Sequence, residues 1–436
     1  MNAGISKIWT TVQRTIRTPV FMSLCDQALQ SGTNFAAIIC LAAFYPKNVV
    51  GEFVLITTIL QISLGFQRSL VVLPFIVSQS GGRSRSNASG WFFINSIFLV
   101  GNLAVLFFFA TVSYILGIRV ISSQVFALSA IPIVTAVAYE YCRRWAYQFD
   151  ERPTALISAV ALSVFYILGM AGSVLTGYGL WPTILGYSIG GIVAVWIILT
   201  RHGIPLAGFG SSLEEWRQVS RSTGWHFLSF MGHSSYSSAM PLVIASVGSV
   251  EMIAVFGATR SMVTPLLAIA TALDSIEKPR LGKAFFDGGI YQLCDSARRV
   301  AIQLSVIAAP GVLMLSIFGA PILGVVFGPQ YIQYHTTLLL WCVSVVFTLL
   351  NQPVETSLII IQKGKHLFAG KLVASVLGLC LAILLIQKIG TSGAVLATAL
   401  ATLTSLLFNT SFVYCAYQKL ADSHMCHQSS RRSHSP

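Results

Sequence analysis

Two arginines stand where a charge is costly. Arg68 lies within ILQISLGFQRSLVVLPFIV and Arg260 within IAVFGATRSMVTPLLAIATAL, stretches otherwise apolar enough to cross a membrane. A charge at mid-bilayer costs about 2.5–3.5 kcal/mol even on insertion scales, so it faces a protein interior or a wet cavity. A guanidinium is planar, weakly hydrated and able to bind phosphate through two parallel hydrogen bonds. Two of them at membrane depth suggest a path for an anion.

Polar side chains gather around them at helical spacing. Asp26, Gln30, Thr33 and Asn34 share one face of a first span, and Gln61, Gly65 and Arg68 one face of a second. His226, Ser229, His233 and Ser237 form a stripe in a seventh span, and Arg260, Thr264, Thr271 and Ser275 another in an eighth. The candidate substrate contacts are therefore Arg68, Arg260, Gln30, Asn34, Gln61 and Thr264. Asp26, His233 and Glu355 are candidate charge partners or ion-coupling groups. Asp26 is the expected partner or orienter of an arginine. His226 and His233 titrate near neutral pH when unperturbed, and hydrogen-bonded packing is the competing reading of both. Glu355 follows Pro353 near an inner helix end and could reach water. Glu140 and Arg144, at i and i+4, are expected as a surface pair.

The elements that position these groups are membrane spans. The chain has 436 residues, 55% hydrophobic and 9% charged, with a mean hydropathy of +0.76. Apolar stretches of about 20 residues, enough to cross about 30 Å of hydrocarbon, are read at 20–43, 53–79, 91–115, 122–141, 154–176, 180–200, 225–247, 252–275, 300–319, 335–360, 369–387 and 391–415. At 1.5 Å rise per residue, Arg260 lies about 12–14 Å and Arg68 about 24 Å from the outer ends of their spans. The two charges are expected at different heights. Pro74, Pro132, Pro241, Pro265, Pro310 and Pro353 allow kinks within spans.

The +13 net charge reports orientation rather than nucleic-acid binding. Of 27 lysines and arginines all but five fall on the side of the N-terminus; Lys47, Arg119 and Lys388 lie opposite, and Arg68 and Arg260 lie within spans. By the positive-inside rule both termini are cytoplasmic, and the basic segments meet an anionic leaflet. None of the eight cysteines falls in an outer loop, so no disulfide framework is expected. The tail HMCHQSSRRSHSP mixes His and Cys, but a solvated, disordered tail over 416–436 is the expectation, with no metal site. The first 19 residues are basic and the first span lacks a small-residue cleavage pattern, so no cleaved signal peptide is expected.

The inner loop 201–224 divides the chain into an N-terminal lobe, 1–222, with spans one to six, and a C-terminal lobe, 223–415, with spans seven to twelve. The halves echo each other: in each, a polar span leads into an arginine-bearing one, and spans four and ten carry Glu140 and Glu355 near their inner ends. This fits a parallel repeat about the membrane normal, with a central cavity lined by spans one, two, seven and eight. Enzyme signatures are absent. GFGSSLEEW is glycine-rich but lacks the lysine of a phosphate-binding loop, and no outer loop is long enough for the acceptor site of a polymerase or ligase. The expected fold class is an all-α polytopic membrane protein of about twelve helices in two six-helix lobes. No enzyme activity and no cofactor are expected.

The segments SLCDQALQSGTNF and GEFVLITTILQISLGFQRSLVVLPF resemble the opening of bacterial polysaccharide flippases. These belong to the multidrug/oligosaccharidyl-lipid/polysaccharide (MOP) exporter superfamily, which also holds the multidrug-and-toxin (MATE) exporters. VVFGPQYIQYHTTLLLWCVSVVF resembles that family between spans nine and ten. The resemblance implies a V-shaped pair of lobes, alternating access and a polyprenyl-diphosphate-linked oligosaccharide as cargo. Arg68, Arg260 and Asp26 match positions where such flippases carry charged cavity residues. Relatives acting on lipid II carry further arginines in span one, where this chain offers Asp26, which argues against a peptidoglycan-precursor role. The implied function is flipping to the outer leaflet of the bacterial inner membrane for surface polysaccharide biosynthesis, with the stripe residues on sugar hydroxyls. Partners are the lipid-linked oligosaccharide, the bilayer, H⁺ or Na⁺ as coupling ions and other polysaccharide-assembly membrane proteins, with no nucleic acid. The competing reading is an ion-coupled small-molecule exporter of the multidrug-and-toxin type. Such proteins usually bind cations, and the positive membrane-depth charges count against it.

Overall fold

The computed structural model describes residues 19–79, 89–115, 123–202 and 209–432. The basic stretches at 1–18 and 80–88 and the last four residues of the tail lie outside them, as do the side chains beyond 418. All regular structure among the described residues is helical. In chain order the helices are α1 (Pro19–Phe44), α2 (Lys47–Gln79), α3 (Ser89–Ile115), α4 (Ser123–Gln148), α5 (Arg152–Thr176), α6 (Trp181–His202), α7 (Phe209–Tyr236), α8 (Met240–Val247) and α9 (Val250–Phe327). A 3-10 turn at Pro329–Tyr334 then leads to α10 (His335–Ile360), α11 (Gly364–Ile389) and α12 (Thr391–Arg432). Among the described residues ten helical segments, two of them within α9, are long and apolar enough to cross a membrane; the polar-studded α1 and the broken α7–α8 tract are not among them.

Several boundaries differ from the sequence reading, each for a local reason. The inner loop expected at 201–224 is helical from Phe209 onward. The span expected at 225–247 is interrupted after Tyr236 and resumes as α8, with Pro241 at its N-terminus. A proline has no N–H for the carbonyl four residues back, here Ser237. The spans expected at 252–275 and 300–319 join through one helical tract, α9, that bends at Gly288 and at Gly289, whose φ of 65° suits glycine. The backbone of α12 stays helical to Arg432, where the sequence reading expected a disordered tail from 416. Within α2 the ladder widens to a π turn over Arg68–Val72.

The described chain divides into two compact units. One runs through to Phe227 and adds Ser249–Ala258; the other takes Leu228–Gly248 and continues from Thr259. In the first, Phe75, Trp91, Tyr141, Cys142 and Trp145 form a buried core, with the Phe75 and Trp91 rings 5.9 Å apart. The α5 and α6 backbones meet at Gly169 and Gly186, where a Cβ on Gly186 would fall 2.7 Å from the Gly169 Cα. Small residues permit this approach in lipid, where apolar burial gives helices little mutual attraction. In the second, α7, α11 and α12 pack through Tyr236, Ala374 and Ala401. Large apolar side chains elsewhere point outward, Phe107 on α3 being 75% exposed, as a lipid-facing surface requires.

Candidate functional site

The first unit concentrates charge where α1, α2 and α4 meet. Arg143 Nη1 donates to Asp26 Oδ2 at 2.6 Å and Arg143 Nη2 to Glu140 Oε2 at 2.7 Å. Arg68 Nε donates to Glu140 Oε1 at 2.8 Å and Arg144 Nε to the same oxygen at 3.0 Å. Tyr147 Oη donates to Asp26 Oδ2 at 2.7 Å, and Gln30 Nε2 to Asp26 Oδ1 at 2.9 Å. Three guanidiniums thus surround two carboxylates, leaving one positive charge in excess. Arg143, Asp26 and Glu140 are buried, while 44% of the Arg68 side chain is exposed. Arg68 spends only its Nε on Glu140, and its terminal nitrogens remain able to take a further anion.

Several expectations change here. The arginine on Asp26 is Arg143, while Arg68 bonds Glu140. Glu140 and Arg144 do pair, but Glu140 is 4% exposed and is the hub of the cluster, not one end of a surface pair. Arg143, counted with the cytoplasmic basic residues, is buried. Because α2 begins at Lys47, Arg68 lies about 31 Å along it, at the far edge of a bilayer's hydrocarbon. Gln67 beside it is anchored by bonds from its Nε2 to Asn95 Oδ1 at 2.7 Å and to the Val137 carbonyl at 2.6 Å.

The second unit is organised differently. Arg260 lies ten residues into α9, about 15 Å along the axis, half a hydrocarbon thickness. Its guanidinium carbon lies 5.9 Å from the Trp341 ring centroid, a cation–π distance. Nη1 reaches the Ser237 carbonyl at 3.5 Å, the group that Pro241 leaves without its helical donor. Among the described residues no carboxylate pairs with Arg260. A separate network holds the other cation: Lys371 Nζ bonds Glu355 Oε2 at 2.9 Å, and Asn351 Nδ2 bonds Glu355 Oε1 at 2.8 Å. Asn409 Nδ2 continues it to Asn351 Oδ1 at 3.1 Å and Ser405 Oγ at 3.2 Å. Glu355, which could have reached water, is held by Lys371, and Lys371, counted among cytoplasmic charges, is buried.

The other predicted residues divide between committed and available groups. Gln30 is committed to Asp26. Thr264 Oγ1 is committed to the carbonyl of Arg260, to which it donates at 3.0 Å. His233 Nδ1 lies 3.0 Å from Tyr236 Oη, and Ser237 Oγ donates to the His233 carbonyl at 2.7 Å. Asn34 and Gln61 are exposed. Thr271 and Ser275 have side chains outside the described residues. The sequence reading missed Arg143, Lys371, Tyr147 and Trp341 as members of these sites. Arg143 stands three residues after Glu140, one helical face. Asn351 and Glu355 on α10, with Ser405 and Asn409 on α12, repeat an i, i+4 polar spacing that marks a buried network.

No protein-family model matches the sequence, and no curated protein does. Solved structures do. The chain superposes on an inward-facing multidrug resistance MATE family transporter of the MOP superfamily at a TM-score of 0.69, with 15% identity over 91% of this chain and 96% of that one. It superposes on the lipid II flippase MurJ in an inward closed conformation at 0.68, with 15% identity over 91% of this chain and 87% of that one. A third neighbour is a MOP superfamily transporter from Pyrococcus furiosus described as having a binding pocket of reversed polarity, at 0.62 and 14% identity over 92% and 95% of the chains. At these identities the likeness is one of fold: an all-helical membrane protein of the architecture shared by MATE transporters and MurJ.

Proposed function

We propose that the chain is an alternating-access transporter that flips a polyprenyl-diphosphate-linked oligosaccharide from the cytoplasmic to the outer leaflet of a bacterial inner membrane, with both termini cytoplasmic. The observation that carries this reading is Arg260, a guanidinium at half-bilayer depth against Trp341 with no carboxylate partner among the described residues. A cation at membrane depth without a protein counter-ion is costly, and a ligand that brings the counter-charge removes that cost. Diphosphate is such a ligand, and the fork of a guanidinium fits its oxygens. Arg68, half-exposed with its terminal nitrogens uncommitted, receives the diphosphate at the inner end; Arg260 holds it further along. In this reading Asn34 and Gln61 offer exposed amides to sugar hydroxyls, and Gln30 and Thr264 are further polar contacts. The prenyl chain stays in lipid.

The direction of transport is favourable. Moving about two negative charges outward across 100 mV, inside negative, releases about 4–5 kcal/mol. H⁺ or Na⁺ coupling is carried in this reading by His233, whose ring meets Tyr236 Oη, because Asp26 is bound by Arg143, Tyr147 and Gln30 and Glu355 by Lys371 and Asn351. Deletion of the gene, followed by lipid mass spectrometry and leaflet probing with an impermeant sugar-modifying enzyme, tests the cargo. Accumulation of a lipid-linked oligosaccharide on the cytoplasmic face is expected; an unchanged pool with normal sidedness refutes it.

A second reading is a small-molecule exporter, favoured by a superposition on a multidrug resistance MATE transporter as close as that on MurJ. It predicts drug hypersensitivity of the deletion strain with no lipid phenotype.

A further inference from the structure

The π turn that begins at Arg68 is held open from outside its own helix. Leu73 N–H bonds the Arg68 carbonyl, the five-residue step that closes the turn. Such turns occur mostly as single bulges in α-helices and frequently at functional sites. In a regular α-helix the Leu70 carbonyl takes the N–H of residue 74, but residue 74 is proline, which has none. Trp216 on α7 stands in for it: its indole Nε1 donates to the Leu70 carbonyl at 2.7 Å. The preceding residue reinforces the contact, Trp91 Nε1 donating to Glu215 Oε2 at 3.2 Å. Leu70, Phe75, Trp91 and Trp216 belong to one apolar cluster, so the indole is fixed by packing as well as by its hydrogen bond. On the N-terminal side the turn is fixed by Gln67, bonded to Asn95 and to the Val137 carbonyl.

We propose that Trp216 is a positioning residue for Arg68: by supplying the donor that Pro74 lacks, it stabilises the π turn and with it the direction in which the Arg68 guanidinium points. A π turn holds one residue more than the α turn it replaces, so relaxing it re-registers the residues at its head. Arg68 is that head, and its hold on Glu140 Oε1 and the aim of its free nitrogens both depend on the register. The link to diphosphate rests on the function proposed above; the link between Trp216 and the turn does not.

The test uses full-length protein in lipid nanodiscs. Trp216→Phe keeps an aromatic ring and removes the N–H; Pro74→Ala gives residue 74 its own N–H. Hydrogen exchange over residues 71–76 is expected to quicken about tenfold in Trp216→Phe, the factor that one net hydrogen bond supplies, and to return towards wild type in the Trp216→Phe/Pro74→Ala double variant. Unchanged exchange in Trp216→Phe, or no recovery in the double variant, overturns the proposal. Binding of inorganic diphosphate is the second readout. It should weaken about tenfold in Trp216→Phe and recover in the double variant, whereas Arg68→Ala weakens it with no recovery from Pro74→Ala. If wild-type protein ignores diphosphate while the exchange pattern holds, the positioning role stands and the substrate reading falls.

Discussion

The two units solve the problem of charge at membrane depth in opposite ways. In the first, three arginines converge on Asp26 and Glu140, and every buried carboxylate oxygen there is occupied. In the second, Lys371 and Glu355 neutralise each other inside an asparagine network, while Arg260 rests on an aromatic ring and a freed carbonyl. A closed ion cluster gives shape to the unit that contains it. An open cation is a standing demand for an anion. The contrast separates residues whose loss should unfold the protein from residues whose loss should only stop it working.

Four predictions bear on that contrast. Arg143→Met removes the one side chain shared by Asp26 and Glu140 and leaves two buried carboxylates short of a partner. It should destabilise by about 3–5 kcal/mol, seen as loss of abundance and a lowered thermal midpoint. Lys371→Met should cost about 2–3 kcal/mol, less because Glu355 is 23% exposed; adding Glu355→Gln should recover most of it, and a double variant as unstable as the single would contradict the mutual neutralisation of Lys371 and Glu355. Arg260→Ala strands no carboxylate, so its thermal midpoint should move by no more than about 1 kcal/mol equivalent. A collapse in stability there would mean that Arg260 has a structural partner after all. Trp341→Leu should weaken the cation–π contact by about 0.5–1 kcal/mol, read as slower transport at unchanged abundance.

The spans were legible because lipid imposes a length and a composition that periodicity alone reveals. That is how the polar faces holding Asp26, His233, Arg68 and Arg260 could be found. Their pairings were not legible. Asp26 meets Arg143 across 117 residues of sequence and Glu140 meets Arg68 across 72, and spacing along one helix cannot report which helix lies opposite. Burial was misjudged for the same reason: Arg143 and Lys371 fall near span ends, where snorkelling is the usual outcome, yet partners on neighbouring helices draw both inward. The breaks were partly legible. Pro241 and Pro74 were visible as kink sites, but the acceptors they free, Ser237 and Leu70, gain meaning only once Arg260 and Trp216 are seen to use them.

The most direct test of the central claim is lipid flipping by Arg260→Ala at wild-type abundance, in a strain whose own copy is deleted. A folded protein of near-normal thermal midpoint is expected, with a lipid-linked oligosaccharide stranded on the cytoplasmic face. Normal sidedness of that lipid in the Arg260→Ala strain, with accumulation in the empty deletion strain, would show that the open cation is not the anion site.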